Sequence, residues 1–301
     1  MLLNHVPSRD KLNTTIESHG LNVTLLDPKR FTVPEEFLGY EMPMISQAGT
    51  QEDSLHFADY NSISYCSSVK LYSWHCRKCT DDIHLVFIAW DHRYSGRVLL
   101  LRDDARKEIV LAFRGSLRIR NWIENLVYEL IDLPHVKGAK VHKGFKDSAD
   151  ALTNNYLKEL SKELKQSPSY RFIITGHSLG GAVAILSAIE LKQRLNIPWR
   201  KIEVFTYGQP RTGNVAFARY INQLPMHVTR VVNENDIVPH ILPEYANFAH
   251  HGTEIYVHNK ESFPCSTERL EDATCSRKNF PEVSLTAHNH VADTDVGSLS
   301  C

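Results

Sequence analysis

Apolar runs of strand length recur along the chain at 85–90, 98–101, 109–113, 172–175, 204–206 and 228–232, with a further candidate at 254–257. Such runs are too short for helices and too apolar for loops, so they read as buried strands. Asp103-Asp104 separates the second run from the third and reads as a hairpin-like turn. Helical stretches lie between the later runs, notably 149–166 and 182–195. Buried strands alternating with helices predict a mostly parallel sheet covered on both faces. Residues 1–45 are different: they are polar, carry Pro7, Pro28, Pro34 and Pro43, and hold no sustained period. They read as a surface extension or pro-segment, with residues 46–301 as one catalytic domain. No internal repeat or low-complexity tract interrupts the pattern.

Composition narrows the function classes. Thirty-four Lys+Arg against thirty-five Asp+Glu leave a formal charge of −1, so no global field draws the chain to nucleic acid or to an anionic membrane. No apolar run reaches the roughly eighteen residues a transmembrane helix needs. The start MLLNHVPSRD lacks a charged n-region and an apolar h-region, so no signal peptide is read there. Six cysteines are too few to scaffold 301 residues, and Cys76-Arg77-Lys78-Cys79 has no second pair at zinc spacing. Three disulfides, and with them an oxidising compartment, are the better expectation. Glycosylation acceptors at Asn13 and Asn22 point the same way.

The chemical signal is Gly176-His177-Ser178-Leu179-Gly180, followed by Gly181. By itself G-x-S-x-G recurs by chance; its setting gives it meaning. A short apolar strand stops at Thr175 and a helix-forming run begins at Ala182, which is the strand-turn-helix of a nucleophile elbow. Glycines at 176 and 180 avoid collisions with the neighbouring strand and helix, and the helix N-terminus directs its dipole at the serine. An elbow serine needs a base, and the base needs an acid, in the order Ser…Asp/Glu…His. Asp236 follows the 228–232 strand and precedes an apolar Ile237-Val238 pair able to anchor its loop, which favours it over Glu234. For the base, His240 is too near the acid in sequence. His250, His251 and His258 flank the 254–257 strand, and for the first two a surface or supporting role is expected. His288 and His290 sit in a polar C-terminal loop, and spacing does not choose between them.

An acyl-transfer site also needs donors for an oxyanion. The backbone N–H of Leu179, next to the nucleophile, is one. Ser116, at the end of the 109–113 strand, offers both N–H and hydroxyl, or else caps the following helix. That helix, expected over 117–130, carries Ile119, Trp122, Ile123, Leu126, Val127 and Leu130 on one stripe, with Arg118, Arg120, Asn121, Glu124 and Asn125 opposite. Such a stripe is ordinarily core packing. Directly after an oxyanion loop it suits a lid that hides the site in water and lays its apolar face on lipid.

Five blocks in order resemble the fungal class 3 triacylglycerol lipases of the α/β-hydrolase fold, a family that includes feruloyl esterases. They are Arg114-Gly115-Ser116 with Ile119-Arg120-Asn121-Trp122, Val141-His142-Lys143-Gly144-Phe145, the elbow, Gly208-Gln209-Pro210-Arg211-Thr212-Gly213-Asn214, and Asn235-Asp236-Ile237-Val238-Pro239. The likeness spans roughly residues 50–301. It implies Ser178 as nucleophile, Asp236 as acid, Ser116 and Leu179 as oxyanion hole, and the 117–130 helix as interfacial lid. The family's histidine lies in an Asp/Asn-His-x-x-Tyr setting, and Asn289-His290 matches its start, which selects His290; Asp293 stands where the aromatic usually is. The likeness also implies disulfides Cys66–Cys301, Cys76–Cys79 and Cys265–Cys275. It implies a secreted enzyme acting on acylglycerol esters at a lipid-water interface, with no metal or organic cofactor; the oligomeric state is not read from the sequence, and a monomer is the default expectation. The apolar stripe with Trp122 favours this over a soluble-ester or feruloyl esterase. The full set of catalytic candidates favours it over a lipase-like binding protein without activity.

Overall fold

The computed structural model describes residues 15–18, 21–24, 51–93, 96–297 and 301. Eight strands form the main sheet: β1 (Ile83–Asp91), β2 (Gly96–Asp103), β3 (Glu108–Arg114), β4 (Arg171–His177), β5 (Ile202–Tyr207), β6 (His227–Asn233), β7 (Thr253–His258) and β8 (Glu261–Pro264). Their spatial order is their chain order. β1, β2 and β3 form an antiparallel meander, β3 to β7 run parallel, and β8 turns back antiparallel on β7. Every strand run expected from the hydrophobic pattern lies in this sheet, and its centre is the α/β-hydrolase arrangement. β1 carries a bulge between Leu85 and Phe87. β8 is short, mostly exposed, and ends in Pro264.

Sequential order has a packing consequence. Parallel crossovers are almost always right-handed, so successive crossovers advancing in one direction place their helices on one face. Accordingly α4 (Lys143–Gln166), α5 (Leu179–Leu195) and α6 (Val215–Gln223) share a core with one side of the strands. On β2 and β3 that side is Val98, Leu100, Ile109, Leu111 and Phe113. The alternate residues Leu99, Leu101, Val110 and Ala112 face a second core, as a period of two demands. This second face is closed by α1 (Gln51–Ser64) and by the C-terminal segment through Val291 and Val296.

Helix α1 was not apparent in the sequence, because the surface it buries is polar as well as apolar. Ser54, Asn61, Ser62 and Ser64 are buried beside Phe57, Ala58 and Ile63. Partners come from the sheet, the chain's tail and the helix itself: Asn61 donates to Thr175 Oγ1 at 2.7 Å and Tyr207 to the Ser54 carbonyl at 2.6 Å, while Ser62 donates to the Asp295 carbonyl and Ser64 to the Asn61 carbonyl at 2.7 Å. The short helix α2 (Ser68–Tyr72) follows. The cysteines pair as Cys66–Cys301, Cys76–Cys79 and Cys265–Cys275, which is the pairing implied by the family likeness. The first bond joins the end of the chain to the end of α1.

The helix expected over 117–130 is shorter than the apolar stripe suggests. α3 spans Ile119–Glu124 only. Asn125 leaves the helical region at φ −104°, ψ 12°, and Leu126 closes a tighter turn onto Ile123. Beyond it, Leu130–Asp132 pairs as a strand with Lys140–His142, and His142 Nε2 donates to the Val127 carbonyl at 2.6 Å. Tertiary pairing here overrides helical periodicity.

Five buried histidines are held neutral by burial: His142, His177, His240, His250 and His251. For His240, pushed down to about 3, the neighbouring Arg211 guanidinium adds to the effect; for His251, also about 3, Arg230 does. The unfolded chain therefore binds more protons than the native one below the ordinary histidine value of 6.5, and native stability is full above that value and lost as pH falls towards 3. The thermal midpoint should decline steadily from pH 6.5 to 4. Replacing His240 and His251 together by glutamine should flatten that decline, whatever it does to the midpoint at pH 8; an unchanged slope would show that these rings do not set the acid limit.

Candidate active site

Ser178 sits between β4 and α5 with φ 60° and ψ −132° and serves as the N-cap residue of that helix. Non-glycine residues occupy this region only when surrounding structure holds them there. The glycines around it do so by close approach. A Cβ on Gly176 would lie 2.2 Å from the Gly180 carbonyl oxygen, and one on Gly180 would lie 2.2 Å from the Phe113 carbonyl oxygen. The elbow is thus wedged between α5 and the end of β3. The Ser178 N–H is tied down by the Tyr207 carbonyl on β5 at 2.8 Å. The hydroxyl is buried, at 1% exposure, with no hydrogen-bond partner. The N–H of Leu179, first residue of α5, belongs to the set a helix leaves unpaired inside itself.

Asp236 lies in the turn after β6, also 1% exposed. Its Oδ1 accepts the Val238 N–H at 2.8 Å. Ile237 and Val238 are buried with Ile241 and Val283, so the apolar pair after the acid does anchor its loop. The imidazole on this carboxylate belongs to His288. Its Nδ1 lies 2.9 Å from Oδ2 and 3.0 Å from Oδ1, and its Nε2 is buried without a partner. Gly208, at φ 53°, makes room for the pair: a Cβ there would stand 2.5 Å from Asp236 Oδ2 and 2.7 Å from His288 Nδ1.

His290, selected by the family likeness, is elsewhere. Its Nδ1 pairs with Asp295 at 2.9 Å, and its side chain is 38% exposed. The reason is local. Residues 287–289 form a 3₁₀ turn that carries His288 inward, whereas His290 begins a strand pair with Thr294–Asp295 and faces its partner there. His250 and His251, expected at the surface or in support, are both fully buried; His250 Nε2 donates to the Pro239 carbonyl at 2.9 Å. His240 is buried as well, and His258 pairs with Glu234 at 2.7 Å, away from Asp236.

Ser116 is half-buried, and its hydroxyl accepts the Arg118 N–H at 3.2 Å. It does not cap α3, whose N-cap position is Arg118 without a side-chain bond. The segment lies against the nucleophile: a Cβ on Gly115 would sit 2.7 Å from Ser178 Cβ. Ile123 is buried, and Ile119, Trp122 and Leu126 are half-buried, against Ile237, Val238 and Ile241 of the acid's own loop and Val283 of the segment that leads to His288. Trp122 also stacks on Phe145, with centroids 6.0 Å apart. Val127 is not part of this inner face; it is 69% exposed, as Leu117 is at 53%.

Sequence reasoning passed over Tyr65 and His177. The His177 ring, 1% exposed, bonds to Tyr65 Oη and to the His288 main chain, each at 2.7 Å. His177 stood in the motif's variable position, where no pattern requires a function, and Tyr65 closes a helix the hydrophobic pattern did not show.

Known proteins resemble this chain in sequence and fold. The family described as Lipase (class 3) matches residues 110–246. A lipase of Rhizomucor miehei is 36% identical over 252 residues, 81% of this chain and 69% of that one. Secreted mono- and diacylglycerol lipase 1 of Fusarium solani is 36% identical over 155 residues, covering 52% of this chain and 45% of the relative. A solved triacylglycerol lipase, described as having a serine protease triad for its catalytic centre, superposes with a TM-score of 0.77 at 35% identity, over 84% of this chain and 98% of its own. With an elbow serine, a buried acid-imidazole pair and relatives of this identity and coverage, the chain belongs to the class 3 lipase family.

Proposed function

We propose that the chain is a secreted triacylglycerol lipase in which Ser178, His288 and Asp236 carry the chemistry and α3 is the interfacial lid. The observation that carries this reading is the orphaned pair of buried atoms, Ser178 Oγ and His288 Nε2, beneath a short helix whose inner side is apolar. With Nδ1 donating to Asp236, His288 has its lone pair on Nε2 and takes the Ser178 proton as Oγ adds to the ester carbonyl. The Leu179 N–H and the N–H and hydroxyl of Ser116 receive the oxyanion. The C–O bond to the alcohol then breaks, and the alcohol leaves with the proton from His288. Water then enters and gives a proton to the same nitrogen as its oxygen bonds to the acyl carbon; the bond from that carbon to Ser178 Oγ breaks, Oγ takes the proton back from His288, and the acid leaves.

Near-complete burial of the three residues means that substrate reaches them only when α3 moves. Opening exposes Ile119, Trp122, Ile123 and Leu126, which costs free energy in water and is offset against an acyl surface. Three disulfides suit an oxidising, extracellular setting. Residues 1–45 act in this reading as a pro-segment that restrains the lid; the strand Leu21–Thr24 passes along α3.

Four outcomes are expected. On emulsified tributyrin, His288→Ala should lose about 10⁴-fold or more in kcat, as Ser178→Ala does, while His290→Ala stays within about threefold of wild type. The opposite ranking would return the role to His290. Wild-type rate should jump when tributyrin passes its solubility limit, whereas saturation on dissolved monomer would favour a soluble-ester esterase. Removal of residues 1–45 should raise the rate on dissolved ester; equal rates would dismiss the pro-segment.

A further inference from the structure

We propose that Tyr65 and His177 are positioning residues that tie the oxyanion-loop amide of Gly115 to the main-chain carbonyl of His288, setting where the catalytic imidazole stands. The inference rests on His288 being the base.

The direction of each hydrogen bond follows from the chemistry of its ends. A main-chain carbonyl only accepts, so the His177 Nε2 lying 2.7 Å from the His288 oxygen must bear the proton. In a neutral ring Nδ1 is then bare and accepts from the Tyr65 hydroxyl, also at 2.7 Å. Tyr65 has given its one proton, which leaves its oxygen as an acceptor facing Gly115 of the oxyanion loop. Gly115 is the one residue type that fits there, since a Cβ would stand 2.5 Å from Tyr65 Oη. All protons point one way, from the oxyanion loop through tyrosine and imidazole to the turn that carries His288. The four groups come from four separate elements: the end of β3, the chain just beyond α1, the end of β4 and the C-terminal 3₁₀ turn.

Both middle members are fixed from outside. Tyr65 lies between two carbonyls, those of Ser64 and Cys66, that the buried Arg97 guanidinium holds, the second at 2.7 Å. Cys66 is bonded to Cys301. The His177 ring lies on that of His288 with centroids 4.4 Å apart and planes inclined by 32°. His288 becomes an imidazolium during turnover, and a second cation at that distance would oppose it. Complete burial of His177, with His288 beside it, holds that ring well below the ordinary histidine value and therefore uncharged. If the relay breaks, the His288 carbonyl loses its only side-chain tether among the described residues and Nε2 drifts from Ser178; displacements of about 1 Å cost up to 10²-fold in rate.

The test uses the full chain on dissolved p-nitrophenyl butyrate. Tyr65→Phe and His177→Leu should each lower kcat about ten- to hundredfold with KM within about twofold. The double variant should be no slower than the worse single, because one chain is broken only once. His177→Gln, whose amide donates at one end and accepts at the other, should recover several-fold over His177→Leu. Unchanged kcat, losses that multiply in the double variant, or an effect confined to KM would overturn the proposal. His288→Ala separates the two levels: if it keeps wild-type kcat, the reading of the base fails, and if it collapses while the relay variants are normal, only the relay fails. Should a variant not fold, ¹⁵N imidazole spectra of the wild type decide, since a proton on His177 Nδ1 instead of Nε2 contradicts the chain of donors.

Discussion

The structure depends on how closely main chains approach one another around residue 178. Gly176, Gly180 and the Phe113 carbonyl are in such contact that not even one methyl fits between them. This spacing brings the start of α5 against the last residues of β3, so the Leu179 N–H and the Gly115–Ser116 segment converge beside the serine. A positive φ at Ser178 is the conformational cost of turning sharply enough to do so. Roughly 1–3 kcal/mol of such strain persists only in an over-determined setting, and the core on both sides of the sheet supplies one.

Strand order explains where the remaining groups come from. Because successive crossovers stack α4, α5 and α6 on one face, the opposite face is free for α1 and for the tail of the chain. The acid arrives on the turn after β6 and the imidazole on the tail, both at the carboxyl edge of the parallel strands, where open α/β sheets place their sites. The apolar residues packed against α3 come from the loop that holds Asp236 and, at Val283, from the segment that leads to His288. Packing of α3 and placement of the carboxylate therefore share one small cluster.

Much of this was legible in the sequence, for definite reasons. Fully buried parallel strands must be continuously apolar, so the runs at 109–113 and 172–175 could hardly be anything else. The elbow glycines and Asp236 were legible because their chemistry demands particular residue types at short range. His288 and His290 were not separable by spacing, since a single residue's difference in backbone geometry decides which imidazole turns inward; the family pattern selected the outward one. α3 was over-extended because Leu126 and Leu130 keep helical spacing while strand pairing with Lys140–His142 takes over the backbone. α1 and Tyr65 stayed hidden because their buried surface is partly polar, bonded to the sheet, the tail and the helix itself, and no hydrophobic period records that.

The two borders of the main sheet carry a consequence for the molecule outside its chemistry. An open sheet ends in rows of unpaired amides and carbonyls that invite a strand from another molecule. Here one border, β1, is distorted by the bulge between Leu85 and Phe87, and the other, β8, is four residues long, begins with Glu261 and ends with a proline that has no amide hydrogen to offer. Neither border presents a long regular ladder. A chain with this much continuous β-forming sequence can thus be crowded at high concentration without its sheets growing into one another.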